Sequence, residues 1–161
     1  MFTVKETDYN NLDPLIELYK KRYEWLKNNK KDMWKIDQLE KDKLIDKYEN
    51  PKFYIAYEDI EIVGGFLLIE RDVRYWPGNL NDNAFYFHKF VISIEKKGKG
   101  YSDKVLEYVK NYAKLMNKKY VRLDYEIKRE YLRKMYLRNG FIDIEIINKN
   151  GVDIVKSEYE I

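Results

Sequence analysis

Six residues near the middle of the chain, Lys97-Gly98-Lys99-Gly100-Tyr101-Ser102, stand between a strand-like run, Ala84 to Ser93, and an amphipathic segment that opens near Ser102. A glycine-rich turn at a helix start lets backbone N–H groups converge on a phosphate, and the helix end adds partial positive charge. Gly98 and Gly100 have the spacing of neither the dinucleotide fingerprint nor the P-loop. Two glycines one residue apart are common in ordinary loops, so the turn alone does not identify a ligand; Lys96, Lys97 and Lys99 can add charge there.

The chain has no cysteine and one histidine, His88. Thiol nucleophiles, disulfides, cysteine-zinc sites and a covalent cysteine relay are excluded, and no metal is expected where no histidine cluster exists. Catalysis must draw on carboxylates, tyrosines, lysines, His88 or the backbone. The 31 Lys and Arg against 28 Asp and Glu give a net charge of only +3. The signs are interspersed along the helices, so nucleic acid is not the expected partner. No apolar run reaches membrane-span length and the N-terminus lacks a signal-peptide core, which makes a cytoplasmic protein without a membrane partner the expectation. At 161 residues, without repeat or low-complexity tail, a single domain spanning 1–161 is expected.

The elements that would position the turn can be read from hydrophobic period. Phe2 to Lys5 reads as a strand, and Asp13-Pro14 as an N-cap with proline at the first helical position. Leu12, Leu15, Ile16, Tyr19, Tyr23 and Leu26 give the helix its apolar stripe. A second helix is expected from Ile36 to Tyr48, and a hairpin from Phe53–Tyr57 and Ile62–Glu70 around an acidic turn. Gly64 and Gly65 suggest a bulge or close backbone approach. Arg71 to Asn83 reads as an irregular loop. After the glycine turn, Val105, Leu106, Val109, Tyr112, Ala113 and Met116 form one helical face. A strand at Tyr120–Asp124, a short helix, and a terminal antiparallel pair turning at Asn150-Gly151 complete the chain.

In this order Phe90-Val91-Ile92, the glycine turn, and Met135-Tyr136-Leu137-Arg138-Asn139-Gly140-Phe141 resemble the GCN5-related N-acetyltransferase family. That family has a strand reading Leu-x-Val, an Arg/Gln-x-x-Gly-x-Gly/Ala loop and a late Leu-Tyr-x-Lys-x-Gly-Phe. The likeness runs roughly from Phe85 to Ile146. It implies an α/β fold with a mixed, centrally splayed β-sheet flanked by helices. It also implies transfer of acetyl from acetyl-CoA to a primary amine, on a small molecule or peptide, by direct attack in a ternary complex.

The backbone of Phe90 and Ile92 would pair with the pantetheine arm as a missing strand would. Residues Lys97, Gly98, Lys99, Gly100, Tyr101 and Ser102 would hold the pyrophosphate, with the Ser102 hydroxyl able to cap the helix. Tyr136 would protonate the leaving sulfur. His88 would act as the base, because Phe87-His88-Lys89-Phe90 resembles the Leu-His-x-Leu of arylalkylamine acetyltransferases; Glu70 and Asp72 are alternative bases or amine anchors. Lys97 and Ser102 stand where the family has Arg/Gln and Gly/Ala. Arg129 and Leu132 stand where it often has Asn and Ala, so the Asn contact to the coenzyme is not carried over. The rival reading is a noncatalytic acyl-CoA sensor or protein-interaction module. The acceptor would be met by Tyr23–Tyr48 and Arg71–Asn83. Of Trp25, Trp34 and Trp76, at least two are expected in the core, and two copies could pair as a homodimer through the terminal strands.

Overall fold

In the computed structural model, which describes residues 1–31 and 33–161, the described residues form seven strands. They are β1 (Phe2–Thr7), β2 (Lys52–Glu58), β3 (Glu61–Ile69), β4 (Ala84–Ile92), β5 (Tyr120–Glu126), β6 (Ile142–Lys149) and β7 (Val152–Glu160). The helices are α1 (Asp13–Asn28), α2 (Lys41–Lys47), α3 (Tyr101–Leu115) and α4 (Glu130–Arg138). Hydrogen-bonded neighbours follow the order β1-β2-β3-β4-β5-β7-β6. The chain divides into two compact units, one of Met1–Ile69 with Lys89–Tyr101 and the other of Glu70–His88 with Ser102–Ile161. β4 gives residues to both.

In the first unit β1, β2 and β3 form an antiparallel meander. Its register shifts between Ala56 and Tyr57, opposite the Gly64 region. A Cβ on Gly64 would stand 2.5 Å from the Val91 carbonyl oxygen, and one on Gly65 would stand 2.3 Å from Leu15 Cδ1. Bulge and close approach therefore occur together. Leu15, Ile16, Tyr19 and Leu26 bury one stripe of α1. Leu12, not Asp13, occupies its N-cap; Asp13 lies inside the first turn and pairs with Lys41 at 2.7 Å. The expected helix from Ile36 to Tyr48 is broken. A 3-10 turn, Ile36–Leu39, precedes α2, with Glu40 extended between them. Leu39 and Leu44 are both fully buried, and the kink lets each reach the core.

In the second unit β4 runs parallel to β5, with Ala84, Phe85 and Tyr86 opposite Tyr120, Val121 and Arg122. Both strands continue past this register, β4 to Ile92 and β5 to Glu126. β5 pairs antiparallel with β7, and β7 with β6. Asn150 and Gly151 both take positive φ, 53° and 81°, which closes the β6–β7 hairpin in two residues. Val105, Leu106, Val109 and Ala113 are buried on α3. Met116 lies beyond the helix end and is exposed, leaving the stripe one residue shorter than its period suggests.

Trp76 is buried, but Trp25 and Trp34 are only half-buried, so one tryptophan rather than two belongs to the core. Among the described residues no helix is long and apolar enough to cross a membrane.

Candidate active site

The glycine turn follows a 3-10 turn at Ile94–Lys96. Its entry is fixed by the Ser93 N–H donating to the Val63 carbonyl at 2.8 Å. The N–H groups of Lys97 and Lys99 donate to the carbonyls of Ile94 and Lys96, at 3.2 and 3.3 Å. The N–H groups of Lys97 and Lys99 are thus engaged within the turn itself. Gly98 and Gly100 take φ of 76° and 79°, and a Cβ at either would meet nothing within 4 Å. Glycine is required there by the left-handed backbone and not by crowding. Ser102 is the second residue of α3, inside the first turn, not at a capping position.

The lysines of the turn have partners of their own. Lys96 pairs with Glu61, and the Lys97 ammonium stands 4.3 Å from the centroid of the Trp25 ring. Tyr101 stacks on Phe2 at 6.3 Å. Ile92 is buried and Phe90 half-buried. The Ile92 carbonyl accepts a hydrogen bond from Arg22 Nη2 at 2.6 Å, tying α1 to the end of β4.

In the second unit His88 is buried, and its Nε2 lies 2.8 Å from Asp72 Oδ2. The loop after β3 builds Asp72 into a tight turn: its Oδ1 accepts the N–H groups of Arg74 and Tyr75, and its carbonyl accepts that of Trp76. Burial alone would raise the Asp72 carboxyl; the hydrogen bond and charge of His88, with the two backbone donors, hold it below the usual carboxylate range. Asp124 on β5 completes the group, with one ligand atom from each of Asp72, His88 and Asp124 all within 4.8 Å of one another. These are donor types a small cation accepts, and in this structure the His88–Asp72 hydrogen bond occupies two of them. Glu70 is not part of the group; it pairs with Lys118 at 2.8 Å.

Lys89, the residue after His88, takes φ of 52°, a left-handed conformation in mid-strand. It interrupts the simple alternation that would place His88 and Phe90 on one face.

Tyr136 is buried on α4, its ring 5.7 Å from that of Tyr125 and 5.8 Å from that of Phe141. Burial, then the negative charge of Asp124, pushes its phenol well above the ordinary tyrosine range. The Asn-Gly-Phe that follows closes the helix. Gly140 takes φ of 88°, and the Phe141 N–H returns to the Tyr136 carbonyl at 3.1 Å. Asn139 is anchored to α3 on both sides, by its side chain to Asp103 and by its carbonyl to Lys110. Arg129 is buried at the N-cap of α4.

Asp124 is the member sequence reasoning missed. Arg122, Asp124 and Glu126 alternate with Val121, Leu123 and Tyr125, which reads as one wet face and one dry face. β5 is an inner strand between β4 and β7, and on this charged face Arg122 is buried and Asp124 and Glu126 half-buried. Charges on such a strand have to be partnered or used.

The acetyltransferase (GNAT) family model matches residues 12–141. An uncharacterized N-acetyltransferase of Staphylococcus epidermidis is 27% identical over 128 residues, covering 78% of this chain and 80% of its own. A GNAT-family acetyltransferase of Listeria monocytogenes superposes with a TM-score of 0.78 at 19% identity, over 99% of this chain and 95% of that one. The spermidine N-acetyltransferase of Vibrio cholerae, in complex with CoA and spermine, gives 0.69 at 15% over 99% and 95%. A Bacillus subtilis acetyltransferase in complex with CoA gives 0.68 at 13% over 100% and 99%. The chain belongs to the acetyltransferase (GNAT) family and is an acetyl-CoA-dependent N-acetyltransferase.

Proposed function

We propose that the whole chain works as one domain transferring acetyl from acetyl-CoA to a primary alkylamine by direct attack in a ternary complex. The observation that carries this reading is the buried His88–Asp72 hydrogen bond with Asp124 beside it. An alkylamine arrives as an ammonium, and carboxylates suit its capture. His88 takes one of its protons, and the nitrogen attacks the thioester carbonyl. As the C–S bond breaks and the amide forms, the nitrogen gives up a second proton, and one proton ends on sulfur. Tyr136 meets the thiolate. Its phenol is a far weaker acid than a thiol of pKa about 8.5. Its contribution is therefore a hydrogen bond donated to the departing sulfur, without full ionisation.

Gly98 and Gly100, with the start of α3, hold the pyrophosphate, and Phe90 and Ile92 meet the pantetheine arm. The spermine bound to the Vibrio cholerae neighbour makes polyamines the first acceptors to try. Double-reciprocal plots at varied acetyl-CoA and amine test the mechanism: intersecting lines support a ternary complex, and parallel lines refute it.

A further inference from the structure

Lys149, the last residue of β6, reaches from the tip of the β6–β7 hairpin to the loop that carries Asp72. Its ammonium donates to the Arg74 carbonyl at 2.6 Å and stands 4.6 Å from the centroid of the Tyr75 ring. Arg74 and Tyr75 are the residues whose N–H groups hold Asp72 Oδ1, at 3.1 and 3.0 Å. The Tyr75 ring in turn lies 6.4 Å from the His88 ring. One side chain, 75 residues further along the chain than Arg74, thus grips the turn that fixes the histidine. A lysine that only solubilised the hairpin tip would extend into water. This one is half-buried and spends its rotamer freedom on one carbonyl and one ring face.

The hairpin is a firm support. Asn148 Oδ1 accepts the Gly151 N–H, Asn148 Nδ2 donates to Asp153 Oδ1, and the Ile127 N–H, just past β5, donates to the Asp153 carbonyl at 3.0 Å. The loop has a separate anchor in Trp76, which is buried with the Lys156 ammonium 4.3 Å and the Arg122 guanidinium carbon 4.9 Å from its ring centroid. Arg74 and Tyr75 lie between that anchor and Asp72, where Lys149 meets them.

Resting on the reading of His88 as the base, we propose that Lys149 is a positioning residue: it steadies the Arg74–Tyr75 backbone so that Asp72 fixes the orientation and tautomer of His88. An ionised carboxylate only accepts, so the Asp72 contact places the hydrogen of the neutral ring on His88 Nε2. Without Lys149 the two backbone donors shift, the carboxylate turns with them, and the ring loses its fixed aim. A misaimed base costs rate rather than coenzyme affinity.

Because the chain has one histidine, proton–nitrogen correlation spectra of the untagged protein at mildly alkaline pH read the His88 tautomer without overlap. The variants are Lys149→Met, which keeps an unbranched stem and loses the donor, and Lys149→Arg, which keeps a donor. Lys149 lies outside the core, so both should fold. Lys149→Met should move the ring from the Nε2–H form towards a mixture and lower kcat by about tenfold with KM for acetyl-CoA unchanged; Lys149→Arg should restore both. Wild-type nitrogen shifts in Lys149→Met overturn the proposal whatever the activity. So do an altered ring with an unchanged kcat, and an arginine variant no better than the methionine one. If the wild type transfers no acetyl group, or His88→Ala is fully active, the reading of His88 as the base fails, and the nitrogen shifts still decide whether Lys149 orients the ring.

Discussion

The His88 ring and the Asp72 carboxylate meet at 2.8 Å with both residues buried, and Asp72 is held in turn by the backbone N–H groups of Arg74 and Tyr75. A loop that the sequence marks only as irregular thus fixes the orientation of the one histidine in the chain. Removing either partner leaves a buried polar group without its hydrogen bond.

His88→Ala should lower kcat by on the order of 10²-fold with acetyl-CoA affinity nearly unchanged. A kcat unchanged in the variant would remove His88 as the base and leave Asp72 or Asp124 to take the proton.

Asp72 should make stability depend on acid pH. Its folded-state pKa lies below the unfolded value, so its contribution is present above the ordinary aspartate range, about 4, and is lost as pH falls through the folded value. Asp72→Asn should reduce stability at neutral pH and weaken the acid dependence. Denaturant midpoints measured between neutral and acid pH decide this, and parallel curves for the two proteins would refute it.

Tyr136→Phe should lower kcat by about 10²-fold with coenzyme affinity unchanged. Because burial and Asp124 push the phenol up, the wild-type rate should not fall through the ordinary tyrosine range near pH 10 on account of this group. An alkaline limb that disappears in Tyr136→Phe would contradict that protonation state.

Three glycines should separate function from fold. Gly98→Ala meets nothing, so its cost is about 1 kcal/mol of left-handed backbone, and its main effect should be weaker coenzyme binding. Gly140→Ala adds a contact at 3.1 Å with the Tyr159 ring. Gly64→Ala sets a methyl 2.5 Å from a backbone oxygen and should cost about 3 kcal/mol. Thermal melts giving the order Gly64 worst, then Gly140, then Gly98 would agree; equal melting temperatures would not.

The strands, α1, α3 and the glycine turn were legible because their apolar period and glycine positions are local properties. The break at Glu40 was not, because it follows from burying Leu39 and Leu44 together. Tyr136 was singled out by its position before the Gly140-Phe141 pair, which the structure shows to close the helix. Asp124 was hidden because sequence cannot say that β5 lies between β4 and β7 with its charged face largely withdrawn from water. Lys97 read as a phosphate ligand on a solvated turn; its folding back onto Trp25, some seventy residues earlier, is a tertiary event with no local signal.

The most direct test of acetyl transfer is the initial rate of thiol release from acetyl-CoA with spermine and simpler alkylamines, with mass spectrometry of the products. The account predicts release that requires an amine, an acetylated product in equal amount, and a large loss of rate in both His88→Ala and Tyr136→Phe. Acetyl-CoA binding without amine-dependent thiol release for any alkylamine, or full activity in both variants, would contradict it.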